Sequence, residues 1–371
     1  MHIVQIANFV KSDSGGIRRC LSQLQIEYRR RGHRVTTVLP RTDDHEPAVD
    51  VTTVNGPVVP FTGGYRAIVG RRPLRGLLTS LRPDVVELSD KTTLAWVPEW
   101  LSTRDIPSIV ISHERTDIVA TRYAPPFVPV AGLVSHFRAR VAHHADAIIC
   151  ASNFAAAEFV DSGVGADRIR LVPLGVDLEA FRPSDTARSS DVLEIVMCGR
   201  LSPEKQTIVA VRGFMRLLER QQAHLSIIGD GPLREELESL ATGLPITFLG
   251  FLNATNDIVR TVAGADIAIN LGPIETFGLA TLEALACGIP VVVSREGGSR
   301  EIIDSECGRA VSADADEIAD AISDLASVPR DLRRRAARRR AEAFPWSATA
   351  ESLLEIYSEL CPHLTRPGLS A

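Results

Sequence analysis

Short apolar runs recur along this chain, each followed by a polar or glycine-rich loop and then by a segment of helical length. The first series comprises His2–Phe9, Val35–Leu39, Val85–Leu88, Ile109–Ser112 and Ala147–Cys150. A second comprises Glu194–Cys198, His224–Ile228, Ile246–Leu249, Ile267–Asn270 and Pro290–Ser294. Runs this short and apolar read as buried strands. Their alternation with helices predicts an α/β architecture built on mostly parallel, doubly wound sheets. Between the first two runs, Ile17, Leu21, Leu24 and Tyr28 recur at helical spacing and Gly32 fits the stop. In a sheet of this kind the strand ends open onto one crevice where ligands bind, so the loops after the runs hold the chemistry.

The stretch Val172–Ser184 is rich in turn formers and has no period, and it separates the two series. With 371 residues the chain is long enough for two cores. The expected domains are 1–172 and 173–347, both Rossmann-like, facing each other across a ligand-binding cleft. Net charge is −5, which excludes a basic protein that coats nucleic acid. The six cysteines form no C-x-x-C pair, which fits buried free thiols in a reducing compartment. No apolar run approaches the ~20 residues of a spanning helix, and Ile3–Val10 lacks a basic leader. A cytoplasmic protein is expected.

The most informative loop is Glu275–Glu283, two carboxylates separated by seven residues, running from a strand into the helix-like segment Gly278–Cys287. A helix N-terminus attracts phosphate through its free N–H groups and dipole, while a carboxylate beside it grips hydroxyls. That combination suits a sugar attached to a diphosphate. Ser14-Gly15-Gly16 lets backbone N–H groups approach a phosphate, although a tight turn would use the same residues. It is not G-x-G-x-x-G, which weakens a dinucleotide assignment. Arg200 and Lys205 bring two positive charges to the end of Glu194–Cys198, where a departing diphosphate gains negative charge. Gly229-x-Gly231 repeats a strand-end glycine loop that a turn alone would explain. His113 ends Ile109–Ser112 and gains weight from its companions.

Residues 51–83 contain no Asp or Glu but carry Arg66, Arg71, Arg72, Arg75 and Arg82 beside Phe61 and Tyr65. Such a surface suits an anionic membrane at about 1 kcal/mol per Arg, though a solvated helix and loop fits equally. The seven arginines between Arg330 and Arg340 read as an exposed helix face. Asp314-x-Asp316 reads as a helix cap rather than a metal site, and no metal or other cofactor is expected.

These residues together resemble a retaining glycosyltransferase of family 4 with the GT-B fold. The match runs through Gly15-Gly16, His113, Pro173-x-Gly175-Val-Asp177, Gly199-Arg200-x4-Lys205, Gly229-x-Gly231 and the E-x7-E pair, over nearly the whole chain. Gln206 departs from the glycine that many members carry after the lysine, which touches loop geometry. The segments Val4–Phe9, Pro60–Arg66, Ser112–Arg115 and Glu275–Leu279 are similar to actinobacterial GDP-mannose-dependent phosphatidylinositol mannoside mannosyltransferases. The resemblance implies that Gly16, Arg200 and Lys205 hold the diphosphate and that Glu275 bonds donor sugar hydroxyls. It places the Phe277-Gly278-Leu279 backbone beside sugar and phosphate, Glu283 on the ribose, the backbone near Phe251 at the base, and His113 near the reacting carbon. Tyr65, Arg66, Arg71, Arg72 and Arg75 fall on the acceptor or membrane side. Retention by front-face substitution, with the leaving diphosphate helping to deprotonate the acceptor, is implied as well. So is a terminal helix near 348–371 returning to the first domain.

The expected reaction is transfer of mannose from GDP-mannose to a phosphatidylinositol mannoside at the inner face of the plasma membrane, without a metal. The alternatives are a soluble polyol or natural-product acceptor with another nucleotide sugar, a nucleotide-sugar epimerase or hydrolase, and a non-catalytic binding module.

Overall fold

The computed structural model describes residues 1–10, 15–42, 50–59, 64–123, 130–160, 162–184 and 192–362. Ser14, Phe61 and residues 185–190 lie outside these ranges. The chain forms two compact units, Met1–Pro173 with the segment from Trp346 onward, and Leu174–Pro345.

Among the described residues, the first unit holds seven parallel strands: β1 (His2–Ile6), β2 (Arg34–Pro40), β3 (Val51–Val54), β4 (Val85–Leu88), β5 (Ser108–Ser112), β6 (Ala147–Cys150) and β7 (Ile169–Leu171). Their spatial order is β3-β2-β1-β4-β5-β6-β7. The second unit holds six: β8 (Leu193–Cys198), β9 (Ala223–Ile228), β10 (Ile246–Gly250), β11 (Ile267–Asn270), β12 (Val291–Ser294) and β13 (Gly308–Val311), ordered β10-β9-β8-β11-β12-β13. In both sheets the chain starts at the centre, builds outward one way, then returns beside its first strand. The switch points fall between β1 and β4 and between β8 and β11, each a crevice at strand ends.

Central strands are covered on both faces and read as mostly apolar runs; β1, β4, β5 and β12 are buried at every position, the polar His2, Gln5 and Glu87 included. The strands absent from the sequence reading, β3, β7 and β13, all stand at sheet edges. An edge strand needs less apolar surface, so threonines and arginines interrupt the pattern there.

The helix Trp346–Leu360 belongs to the first unit and packs on the helix Gly16–Arg30. Its attachment is polar at the centre. Tyr357 Oη donates to Glu87 Oε1 at 2.7 Å and lies 3.1 Å from Tyr28 Oη, while Gln5 Nε2 donates to Glu87 Oε2 at 2.9 Å. Thr37 Oγ1 then donates to Gln5 Oε1 at 3.0 Å. Glu87, Tyr28, Tyr357 and Gln5 have no exposed surface. Burial raises the Glu87 pKa, and the hydrogen bonds from Tyr357 and Gln5 oppose it.

The arginine-rich helix Arg330–Ala341 corrects the expectation of an exposed basic face. Arg333 and Arg334 are buried. Arg334 donates to the carbonyls of Ala263, Ala265 and Cys287, and Arg338 to those of Phe181, Ala286 and Leu178. Arg333 bonds Asp266 and the carbonyls that end the helix Ala315–Ser327. These guanidiniums cap carbonyls at helix ends and in loops. Arginine spacing alone cannot separate this use from solvation.

Two variants test these networks. Tyr357→Phe is expected to cost about 2 kcal/mol in urea unfolding, because a buried carboxylate loses its donor. A raised native pKa favours neutral Glu87 in the native state, so its contribution is lost as pH rises through that pKa. The Tyr357→Phe loss should therefore be larger at pH 8 than at pH 5. Arg334→Met should cost about 3 kcal/mol, against within about 0.5 kcal/mol for exposed Arg335→Met.

Candidate functional site

In the second unit the sequence-predicted loops flank the switch point. The loop after β8 carries Arg200 and Lys205, and the loop after β11 carries Glu275. Lys205 Nζ donates to Glu275 Oε1, joining the two loops across the crevice. Desolvation lowers the Lys205 pKa from the ordinary lysine range, and the nearby Glu204 carboxylate opposes it. Arg200 is exposed, and no carboxylate pairs with it among the described residues. One cation in the crevice is therefore neutralised and one is not.

Glycines set the shape of these loops. A Cβ on Gly229 would lie 1.9 Å from the Gly199 carbonyl oxygen, and one on Gly231 would lie 2.4 Å from that of Leu201. The two loops stack backbone on backbone, and Leu201 N–H donates to Asp230 O at 2.9 Å. Gly229 thus has a packing reason of its own. Gln206 adopts φ +51°, the left-handed region where glycine is favoured, at the start of the helix Thr207–Leu218. The sequence placed this departure in loop geometry, and the left-handed φ locates it in the backbone.

The loop bearing Glu275 is held from behind by the segment after β12. Gly298 N–H donates to Glu275 O at 2.6 Å, and a Cβ on Gly297 would lie 2.9 Å from Pro273 O. Gly278, at φ +101°, precedes the helix Leu279–Ala286, and a Cβ there would lie 2.1 Å from Ser299 Oγ. No side chain caps this helix and its first turn has no acid, so its N-terminal N–H groups remain available to an anion. Glu283 is buried on the same helix, and Phe277 is buried and meets Phe344 edge-on. Leu279 is half-buried, and Phe251, just past β10, is 48% exposed.

In the first unit Gly15 and Gly16 are exposed at the start of the helix Gly16–Arg30, which also has neither a side-chain cap nor an acid in its first turn. His113 follows β5 directly. It is half-buried, and its Nε2 lies 3.1 Å from Ser89 Oγ in the loop after β4. Burial and then the Lys91 charge lower its pKa to about 4, so the imidazole is neutral at physiological pH. Lys91 and Ser89 were missed from the sequence. The signal was present, since Lys91 follows an apolar run just as Lys205 does.

On the basic surface, Arg66 bonds the Gly56 carbonyl at 3.0 Å and Tyr65 is half-buried. Arg71, Arg72 and Arg75 are exposed on the helix Arg71–Leu81. Arg71 and Arg75 lie 5.6 and 5.2 Å over the Trp96 ring. Asp314 caps the helix Ala315–Ser327 through Glu317 N–H. All six cysteines are free thiols and five are buried. Among the described residues no helix is long and apolar enough to cross a membrane.

Known proteins carry the same arrangement. The profile of glycosyltransferase family 4 matches residues 14–180, and that of glycosyl transferases group 1 matches residues 193–327. The GDP-mannose-dependent alpha-(1-6)-phosphatidylinositol dimannoside mannosyltransferase of Mycobacterium tuberculosis (strain ATCC 25177 / H37Ra) is 40% identical over 370 residues, 95% of each chain. Among solved structures, sucrose-phosphate synthase from Thermosynechococcus elongatus superposes with a TM-score of 0.78 at 22% identity, covering 98% of this chain and 99% of its own. Anabaena Alr3699/HepE in complex with UDP and glucose gives 0.74 at 18% identity, covering 96% and 99%. The paired α/β units, the loops at their switch points and these likenesses agree: the chain belongs to glycosyltransferase family 4, the glycosyl transferases group 1, with the GT-B fold.

Proposed function

We propose that the protein transfers mannose from GDP-mannose to a hydroxyl of a phosphatidylinositol mannoside, with retention of anomeric configuration. The observation that carries this reading is the pairing of Lys205 with Glu275 at one switch point, beside Arg200, which no carboxylate pairs among the described residues. The donor's diphosphate takes the positive charge of Arg200 and Lys205, and Glu275, released from Lys205, accepts hydrogen bonds from the sugar hydroxyls. Gly16 adds backbone N–H, His113 contacts the sugar and phosphate, and Glu283 and the backbone near Phe251 take ribose and base. The acceptor oxygen bonds to the anomeric carbon as the carbon–phosphate-oxygen bond breaks on the same face. Its proton passes to the departing phosphate oxygen. The two cations stabilise that leaving group, and no metal is assigned to the step. The choice of sugar and acceptor rests on likeness to the mycobacterial dimannoside mannosyltransferase.

The acceptor reading adds contact with an anionic membrane at the cytoplasmic face. Arg71 and Arg72 stand in the first turn of their helix, which has no acidic residue. Positive charge there opposes the helix dipole, so an external anion improves the electrostatics of this surface.

Glu275→Ala should lower kcat on the order of 100-fold or more while GDP affinity is kept or improved, since Glu275 no longer competes for Lys205. Undiminished turnover in a folded variant would reject the role. Arg200→Ala should weaken GDP by about 1.5–3 kcal/mol in calorimetry, and unaltered affinity would reject diphosphate binding. EDTA should leave the rate unchanged. Arg71, Arg72 and Arg75 changed together to Gln should weaken binding to phosphatidylinositol vesicles by about 3 kcal/mol at low salt. Unchanged binding, with transfer to a soluble polyol, favours the soluble acceptor.

A further inference from the structure

Lys91 has its charge where a charge costs most. Its side chain is 7% exposed, in the loop after β4. Removing an ammonium from water costs several kcal/mol unless its donors are taken up. Here all three find acceptors. Nζ donates to Ser112 Oγ at 2.7 Å, to the Glu114 carbonyl and to Glu158 Oε2, and stands 5.3 Å over the Phe159 ring. The Glu158 side chain is 1% exposed and follows the short helix Asn153–Ala156 after β6.

The position of those acceptors is informative. Ser112 and Glu114 are the residues on either side of His113, and Ser89, two residues before Lys91, contacts the His113 ring. The loops after β4 and β5 are thus tied twice across His113, once through its ring and once through the ammonium. Glu158 ties the same ammonium to the segment after β6. A buried ion pair is no better for stability than well-packed apolar residues of the same volume, so stability alone does not account for this arrangement.

We propose that Lys91, anchored by Glu158, is a positioning residue for transfer, holding the residues on both sides of His113, by the Ser112 hydroxyl and the Glu114 carbonyl, so that the imidazole meets the donor in one orientation. This rests on the reading of His113 as a donor contact. Charge adds a second consequence. Asp90 is engaged by Asn8, Thr92 and Thr93, and Arg115 is paired with Asp117. Glu158 is paired with Lys91, and Glu114 turns its side chain to solvent while its carbonyl faces Lys91. Burial first, and then the Lys91 charge, keep the imidazole neutral.

The test compares the full-length protein with Lys91→Met and with the double variant Lys91→Met/Glu158→Met. The double variant replaces the pair by apolar volume and leaves no unpaired buried carboxylate, so it remains informative if the single variant fails to fold. Expected in the double variant are a native melting temperature, unchanged GDP affinity, and a 10- to 100-fold lower kcat for transfer from GDP-mannose. The His113 resonance in NMR should titrate above 4 yet stay below the ordinary 6.5, because burial, the larger cause, remains, and the acid limb of the rate profile should move up with it. On a His113→Ala background the double variant should add no further loss. A folded double variant with wild-type kcat and an unmoved His113 titration overturns the proposal, while activity still lost in His113→Ala leaves the donor-contact reading standing. Full activity in His113→Ala instead overturns that reading and the proposal with it.

Discussion

Backbone stacked on backbone shapes the strand-end crevice of the second unit. Gly229 meets the carbonyl of Gly199, Gly231 that of Leu201, and Gly297 that of Pro273, at separations that leave no room for a Cβ. Contacts of this kind transmit position without side-chain rotamers. Moving any of these loops by one ångström would break a backbone hydrogen bond, such as Leu201 N–H to Asp230 O or Gly298 N–H to Glu275 O. Lys205 and Glu275 thus start from fixed backbone, and only their outer torsions are free. Rigidity of the frame lets two flexible side chains meet across two loops.

The buried polar groups of the first unit follow a related rule. Each cluster joins elements distant in sequence. Glu87 gathers β1, β4 and the helices Gly16–Arg30 and Trp346–Leu360; Lys91 gathers the segments after β4, β5 and β6. Apolar contact tolerates a slide of neighbouring helices, whereas a carboxylate that has lost its donors does not. The polar groups therefore fix register, and the surrounding apolar core supplies most of the driving force.

The central strands were legible because burial on both faces leaves an apolar run that no loop imitates. Edge strands such as Val51–Val54 and Gly308–Val311 carry polar residues on their open sides and read as loops. The strand-end loops were legible for a different reason: Arg200, Lys205 and Glu275 each follow a strand, and topology brings such positions to one edge. Arg333 and Arg334 were misread because sequence shows their spacing and not the carbonyls waiting for them. Lys91 escaped notice because its partners, Ser112, Glu114 and Glu158, lie 21 to 67 residues away in sequence. Contacts of that range are settled by sheet order, which short motifs do not encode.

Lys205 and Glu275 are partners, and on the function proposed above that pairing bears on catalysis. Two groups meant for a phosphate and a sugar would each be solvated by water in an open crevice, and the donor would have to strip both. Paired with each other, they have already given up part of that hydration. The exchange on donor binding replaces one ion pair by an ammonium–phosphate contact and a carboxylate–hydroxyl contact, with little net change in charge burial. Arg200, which no carboxylate pairs among the described residues, would on that reading bring its charge to the diphosphate in full. The two cations therefore act differently. On the function proposed above, Arg200 would attract the diphosphate, and Lys205 would couple its arrival to the release of Glu275 toward the sugar.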